Sequence, residues 1–334
     1  MTDQDMERPW SEADWLQQAH AWIYAEMERQ GIHVRGAIEQ PHVRPWSTVL
    51  RVPAAEGDLY FKAAAPVLAH EVPITAALAC WRSDCMLPVL AADVDRGRIL
   101  MPDGGTRLRD LIRADRDVRR WEPALRLYAE AQIELAGRAE ELLSMAAPDR
   151  RPAALPERYR QLLAGTDTLR VGLPDGLTPE EYRRLQELAP RVAVLCAELA
   201  SYGVPNSLHH GDFHDGNIFV RDGRHLFFDW GDCSVAHPFF SLRTTFVSVE
   251  ISLDLEEGAG ELPQLRDAYL EPWTCFESRS RLLAAFRLAQ RLAPFVSALA
   301  WNRIVPSLPP RLQEEYAVPV PALLREFLDL EAKP

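Results

Sequence analysis

Residues 207–232 read SLHHGDFHDGNIFVRDGRHLFFDWGD, and this stretch decides how the rest of the chain is read. It is a β-rich island in a second half whose pattern is otherwise helical. Two apolar runs, 218–220 and 226–228, flank Arg221-Asp222-Gly223-Arg224. Asp-Gly between such runs is a strong hairpin signal, because a tight hairpin turn needs positive φ at both central residues. Asp212 and Asn217 precede the first strand and Asp229 ends the second, so the hairpin predicts that three oxygen-bearing side chains converge.

Such a cluster has a definite chemistry. Mg²⁺ is a hard cation usually held by one or two carboxylates together with substrate phosphates. Phosphoryl transfer also needs a carboxylate that positions the attacking hydroxyl and takes its proton. Any single Asp or Asn here is as readily explained as a loop cap, but the joint spacing favours chemistry.

Working outward, residues 11–30 have an amphipathic helical pattern, with Ser11 and Asp14 placed as a capping box. Runs at 48–52 and 59–62, joined by the turn-like AAEGD, predict a hairpin. Pro73 is comfortable only in a first turn, so a helix over 70–81 should begin near His70. Short strands at 88–90 and 98–101 complete a small sheet. Pro102-Asp103-Gly104-Gly105 then reads as a hinge, which divides the chain into a β-rich lobe, residues 1–102, and a larger helical lobe, residues 103–334. Helices are expected over 122–145, 179–202, 240–254, 262–269, 279–304 and 311–330. Thr178-Pro179-Glu180-Glu181 combines an N-cap, Pro at N1 and a capping-box Glu, and Pro190 should kink the helix that follows. The fold class is α+β.

The chain has 334 residues, 47% of them hydrophobic, and a net charge of −12. That charge argues against nucleic acid or an anionic membrane as partner, since both select basic patches. Five scattered cysteines without CxxC or zinc spacing predict reduced thiols. The acidic, polar start and the lack of any run of ~18 apolar residues place the protein in the cytoplasm. Of 37 basic residues only Lys62 and Lys333 are lysines, which draws attention to Lys62.

The segment His210-Gly211-Asp212-Phe213-His214-Asp215-Gly216-Asn217 resembles the HGDxHxxN catalytic loop of the aminoglycoside phosphotransferase and choline kinase family, and Phe228-Asp229-Trp230 resembles its metal-binding motif. The resemblance implies a two-lobed protein-kinase-like fold that uses ATP and Mg²⁺. It implies Asp212 as catalytic base, Asn217 and Asp229 as metal ligands, and His210 and His214 as braces of the loop. Lys62 followed by Glu71 resembles the pair in which a lysine grips the α/β-phosphates and a helix glutamate orients it. Backbone groups near Met101 and Asp103 would bond the adenine. Arg44-Pro45-Trp46-Ser47-Thr48 stands where the family has its nucleotide-positioning loop; lacking glycine, it would leave phosphate contacts to Ser47, Thr48 and local N–H groups. The family's Gly-Asp-Pro-x-x-Asp-Leu is replaced by Ala236-His237-Pro238-Phe239-Phe240-Ser241-Leu242, in which Ser241 can cap the next helix.

The acceptor, by the same resemblance, meets Asp215, Asp232, His237 and residues from Glu250 to Glu271. That stretch is acidic, through Glu250, Asp254, Glu256, Glu257, Glu261, Asp267 and Glu271, so a cationic acceptor is conceivable, although a charge run is more often a solvated face. Aminoglycosides and other antibiotics, amino alcohols, sugars and nucleosides all stay open as acceptors. The alternative from another class is a nucleotide-binding pseudokinase that acts as an interaction module; the intact Asp212, Asn217 and Asp229 speak against it. Gly211, where protein kinases carry Arg before the base, speaks against a protein substrate.

Overall fold

A computed structural model describes residues 9–256 and 260–332. Lys333, Glu257 and the first eight residues lie outside them. The chain divides into two compact units, one formed by the chain through Thr106 together with Phe219–Gly231, the other by Arg107–Ile218 and the chain from Asp232 onward.

The first unit is a five-stranded antiparallel sheet with two helices. Helix α1 spans Ala13–Arg29; strands β1, β2 and β3 span Glu39–Arg44, Ser47–Val52 and Leu59–Ala64; helix α2 spans Glu71–Trp81; β4 and β5 span Ala91–Asp93 and Arg98–Pro102. The order β1-β2-β3-β5-β4 makes β3 central. Alternation puts Leu50, Val52, Leu59 and Phe61 into a core shared with Ala19, Ile23 and Met27 of α1, as period-2 strands packed on a 3.6-period helix require. Ser11 does not cap α1: the helix starts at Ala13 behind Glu12, without a side-chain cap. The strand expected at 88–90 lies at Ala91–Asp93 instead, because Leu90 bonds Leu100 only through its N–H at the sheet margin. Pro73 sits in the first turn of α2, where its missing N–H costs nothing.

The hairpin of the sequence argument is present, with strands Ile218–Arg221 and Arg224–Phe227. Its turn residues Asp222 and Gly223 have φ of 51° and 74°, the type I′ signature. Although it follows the catalytic-loop motif in sequence, the hairpin joins the first unit through Phe227 N–H to the Cys85 carbonyl and Leu87 N–H to the Phe227 carbonyl. Leu226 packs there with Val72, Leu87, Ile99 and Met101.

The second unit is mainly helical. Thr178 and Glu181 form the expected reciprocal capping box at the start of helix Pro179–Ala200, and the helix continues through Pro190. The single helix expected over 122–145 is two, Trp121–Leu135 and Ala139–Ser144, separated by a 3-10 turn around Gly137. The last expected helix is likewise split, into Pro310–Tyr316 and Pro319–Ala332, where Pro319 starts a new first turn. Helix Arg279–Ile304 is long and apolar enough to cross a membrane, but 61% of its most apolar stretch is buried within the protein. A small sheet has Ser234–Ala236 between Asp149–Arg150, parallel, and Ser207–His209, antiparallel. Ser241 occupies the N-cap position of helix Leu242–Leu253 without capping it; its hydroxyl bonds Tyr128 instead, at 3.0 Å.

Candidate active site

In the first unit, Lys62 stands in the middle of β3, with Val49 of β2 and Ile99 of β5 as ladder partners. Its ammonium bonds Glu71 Oε1, at the first position of α2, and lies 2.6 Å from Asp229 Oδ1. Glu71 is 3% exposed. Burial disfavours the Lys62 ammonium, but Asp229 and Glu71 together outweigh it and raise its pKa above the ordinary lysine value. Burial pushes the Glu71 carboxyl up, against the pull of Lys62. Asp229 has φ 67°, in the left-handed region that Asp tolerates better than most side chains. That conformation ends the hairpin strand and aims the carboxylate at Lys62.

The other expected nucleotide contacts are also in this unit. Ser47 and Thr48 open β2 after a two-residue turn at Pro45-Trp46. Thr48 is fully buried, and its hydroxyl donates to the His42 carbonyl at 2.8 Å and accepts from Gln40 at 3.0 Å. Thr48 therefore secures the β1–β2 turn. Met101 is buried on β5 opposite Tyr60. The Asp103 N–H donates to the Asp58 carbonyl at 3.0 Å, and its own carbonyl accepts from Arg221 at 2.9 Å. Gly104 faces the Phe219 ring so closely that an added Cβ would fall 2.0 Å from a ring carbon. Phe219 in turn stacks on Phe228, with centroids 4.4 Å apart.

In the second unit, the loop after strand Ser207–His209 is held from several sides. Gly211 has φ +85°, and a Cβ there would lie 2.3 Å from the Asp232 carbonyl oxygen, so the position before Asp212 admits only glycine. The Asp212 N–H donates to His210 Nδ1 at 3.3 Å, and the His210 N–H donates to the Tyr128 hydroxyl at 3.1 Å. Asn217 Nδ2 donates to the Asp212 carbonyl at 3.0 Å, with Asp212 Oδ2 at 3.4 Å. His214 Nδ1 accepts from the Gly216 N–H at 2.9 Å. It must therefore be unprotonated, which leaves the proton on Nε2, 3.3 Å from Asp212 Oδ2. Both histidines thus hold the loop. The Asp212 carboxylate is 43% exposed, so an incoming hydroxyl can reach it.

The expected acceptor residues fall into two groups. Asp215 is completely buried; Arg109 Nε donates to one oxygen at 2.6 Å and Ser252 to the other at 2.5 Å. His237 is also buried, and its Nδ1 accepts from the Phe239 N–H. Asp232 and Glu250 are half-buried. In the acidic stretch, Asp267 pairs with Arg266 and Arg279, and Glu271 with Arg126. Sequence reasoning missed Arg109, Tyr128 and Ser252. Arg109 and Ser252 lie 106 and 37 residues from Asp215, and no local pattern announces them.

The model of the phosphotransferase enzyme family matches residues 48–282. The chain belongs to this family. No curated protein matches the phosphotransferase in sequence. Solved structures resemble it over nearly its whole length. A choline/ethanolamine kinase family protein from Mesorhizobium loti has TM-score 0.62 and 16% identity, covering 96% of this chain and 95% of its own. A type I macrolide 2'-phosphotransferase has TM-score 0.58 and 14% identity, covering 94% and 97%. A choline kinase from Streptococcus pneumoniae has TM-score 0.56 and 12% identity, covering 93% and 99%. The phosphotransferase has the protein-kinase-like α+β fold of these structures.

Proposed function

We propose that this phosphotransferase moves the γ-phosphoryl group of ATP onto a hydroxyl of a small molecule, with Asp212 as the base. The observation that carries the reading is the state of Asp212: an accessible carboxylate on a loop fixed by Asn217, His210 and His214. Asp212 orients the acceptor hydroxyl and accepts its proton as the oxygen–phosphorus bond forms and the bond to the β-phosphate breaks, releasing ADP. The His214 Nε2 proton steadies the carboxylate in the orientation that leaves an oxygen for the hydroxyl.

On the nucleotide side, Lys62 grips the α/β-phosphates and Glu71 keeps its ammonium in place. An ammonium suits this role as a compact point charge. Ser47 and N–H groups of the β1–β2 turn contribute near the phosphates. Met101 and the segment around Asp103 and Gly104 border the adenine over the Phe219 ring. Asn217 and Asp229 fit as Mg²⁺ ligands, because the donor set is a carboxylate with an amide oxygen, both hard, and Asn217 spends its amide nitrogen on the Asp212 carbonyl. The metal, when bound, neutralises charge on the phosphates. The first unit is then the nucleotide lobe and the second the acceptor lobe, with Asp232 and Glu250 as the half-buried acceptor contacts. We place the protein in the cytoplasm, where ATP and small hydroxylated metabolites or antibiotics meet.

The test is acceptor-stimulated ADP release with Mg²⁺, screened over hydroxylated amines, sugars, hydroxy acids and antibiotics. Asp212→Ala should lose about 10²–10⁴-fold in kcat with its melting transition intact. Undiminished turnover in that variant would remove Asp212 from the role of base; no stimulation by any acceptor would favour a pseudokinase.

A further inference from the structure

The small sheet of the second unit gathers charge next to the catalytic loop. Its register sets Arg150 opposite Ala236 and Ser234 opposite His209. Opposed and alternate residues share a face, so Arg150, Ala236, Ser234 and His209 are on one face of the sheet, and Ser234 Oγ is 3.2 Å from His209 Nδ1. Arg150 is 4% exposed, yet among the described residues its guanidinium has neither a hydrogen bond nor an ion pair. Of the other buried arginines, Arg82 is paired with Asp84 and Arg98 lies over the Trp15 ring.

The surroundings do not neutralise Arg150. Arg303, in the last turn of helix Arg279–Ile304, and Asp232, just ahead of strand Ser234–Ala236, are its charged neighbours, with Arg158 farther out. Of these neighbours only Asp232 is a carboxylate. Burial pushes Arg150 down to about 10, with Asp232 opposing and Arg303 adding to the fall. A buried, unpaired cation is costly and calls for a counter-ion. Arg303 and Asp232 are only partly buried. Asp232 also abuts the catalytic loop, since a Cβ on Gly211 would lie 2.9 Å from the Asp232 Cβ.

We propose that Arg150 and Arg303 form a subsite for an oxyanion group of the phosphoryl acceptor, so that the substrate carries a carboxylate or a phosphate besides the hydroxyl that reacts. Arginine forks bind both groups through paired, charge-assisted hydrogen bonds. The subsite rests on the phosphotransferase reading only for its link to turnover. The acidic stretch, with Asp267 and Glu271 already paired to arginines, leaves less reason for a cationic substrate.

The experiment uses the full chain with inorganic phosphate as probe, then matched acceptors: hydroxy acids and their amides, sugars and their phosphates. Phosphate affinity, by calorimetry at a temperature where each variant is folded, should fall at least about tenfold in Arg150→Met and in Arg303→Gln, and persist in Lys62→Met, which removes the lysine assigned to the nucleotide phosphates. Arg150→Met without ligand should melt no lower than the parent, because the guanidinium has no partner to lose. Acceptor KM should rise at least about tenfold in both arginine variants for the anionic member of each pair, with kcat little changed. Hydroxy acids against sugar phosphates tell which oxyanion is used. Unchanged phosphate affinity in both variants overturns the proposal, as does turnover confined to neutral or cationic acceptors. Unfolding of Arg150→Met together with normal phosphate binding in Arg303→Gln also overturns it. If no acceptor is phosphorylated, the reading of function fails while the phosphate measurement still decides the subsite.

Discussion

Lys62 Nζ lies 2.6 Å from Asp229 Oδ1, although the two residues are 167 positions apart, and the same ammonium bonds Glu71. One lysine thus joins a central strand, the first turn of a helix and the end of the hairpin. Lys62→Met leaves the buried Glu71 carboxylate without its cation, and breaking such a pair costs about 3–5 kcal/mol. Denaturant unfolding should show that loss, and nucleotide affinity should fall with it. Lys62→Arg should restore stability only in part, because the planar fork does not fill the place of a compact ammonium.

Gly211 and Gly223 both have positive φ, 85° and 74°, but only Gly211 faces backbone where a side chain would go. Gly223→Ala should therefore cost about 1 kcal/mol from conformation alone. Gly211→Ala should cost about 3 kcal/mol or more, since strain and the clash with Asp232 add, and should disturb Asp212. Equal unfolding midpoints for the two variants would contradict this.

Arg109 and Ser252 between them satisfy both oxygens of the buried Asp215 carboxylate. Arg109→Met should destabilise by about 3–5 kcal/mol by stranding that charge. Adding Asp215→Asn should recover part of the loss, which a double-mutant cycle measures as a coupling between the two sites.

His209 and His237 are held neutral by burial, with Arg150 reinforcing the effect on His209, and both fall to about 3 from 6.5. As pH falls below 6.5 the unfolded chain takes up protons that the folded chain refuses. The stability they contribute is whole above pH 6.5 and is lost toward pH 3, at about 1.4 kcal/mol per pH unit for each histidine. The slope of unfolding free energy against pH over that window should drop by one proton in His237→Asn. An unchanged slope would mean that His237 is protonated in the fold.

The sequence by itself determined the local parts: the Asp-Gly hairpin, the Thr178 capping box, the β2–β3 hairpin, the first-turn place of Pro73 and the loop motif around Asp212. Each is set by φ preferences, caps and periodicities that act within a few residues. Tertiary structure decided the rest. Thr48 secures a turn, Asp215 is spent on Arg109, Gly211 is required by the backbone of Asp232, and residues 219–231 join the first unit although the residues on either side belong to the second. Arg150 is buried because a two-residue strand sets it opposite Ala236, on the face that carries Ser234 and His209. These relations depend on which distant segments pack together, and burial rather than any nearby residue fixes the charge and partners of each group.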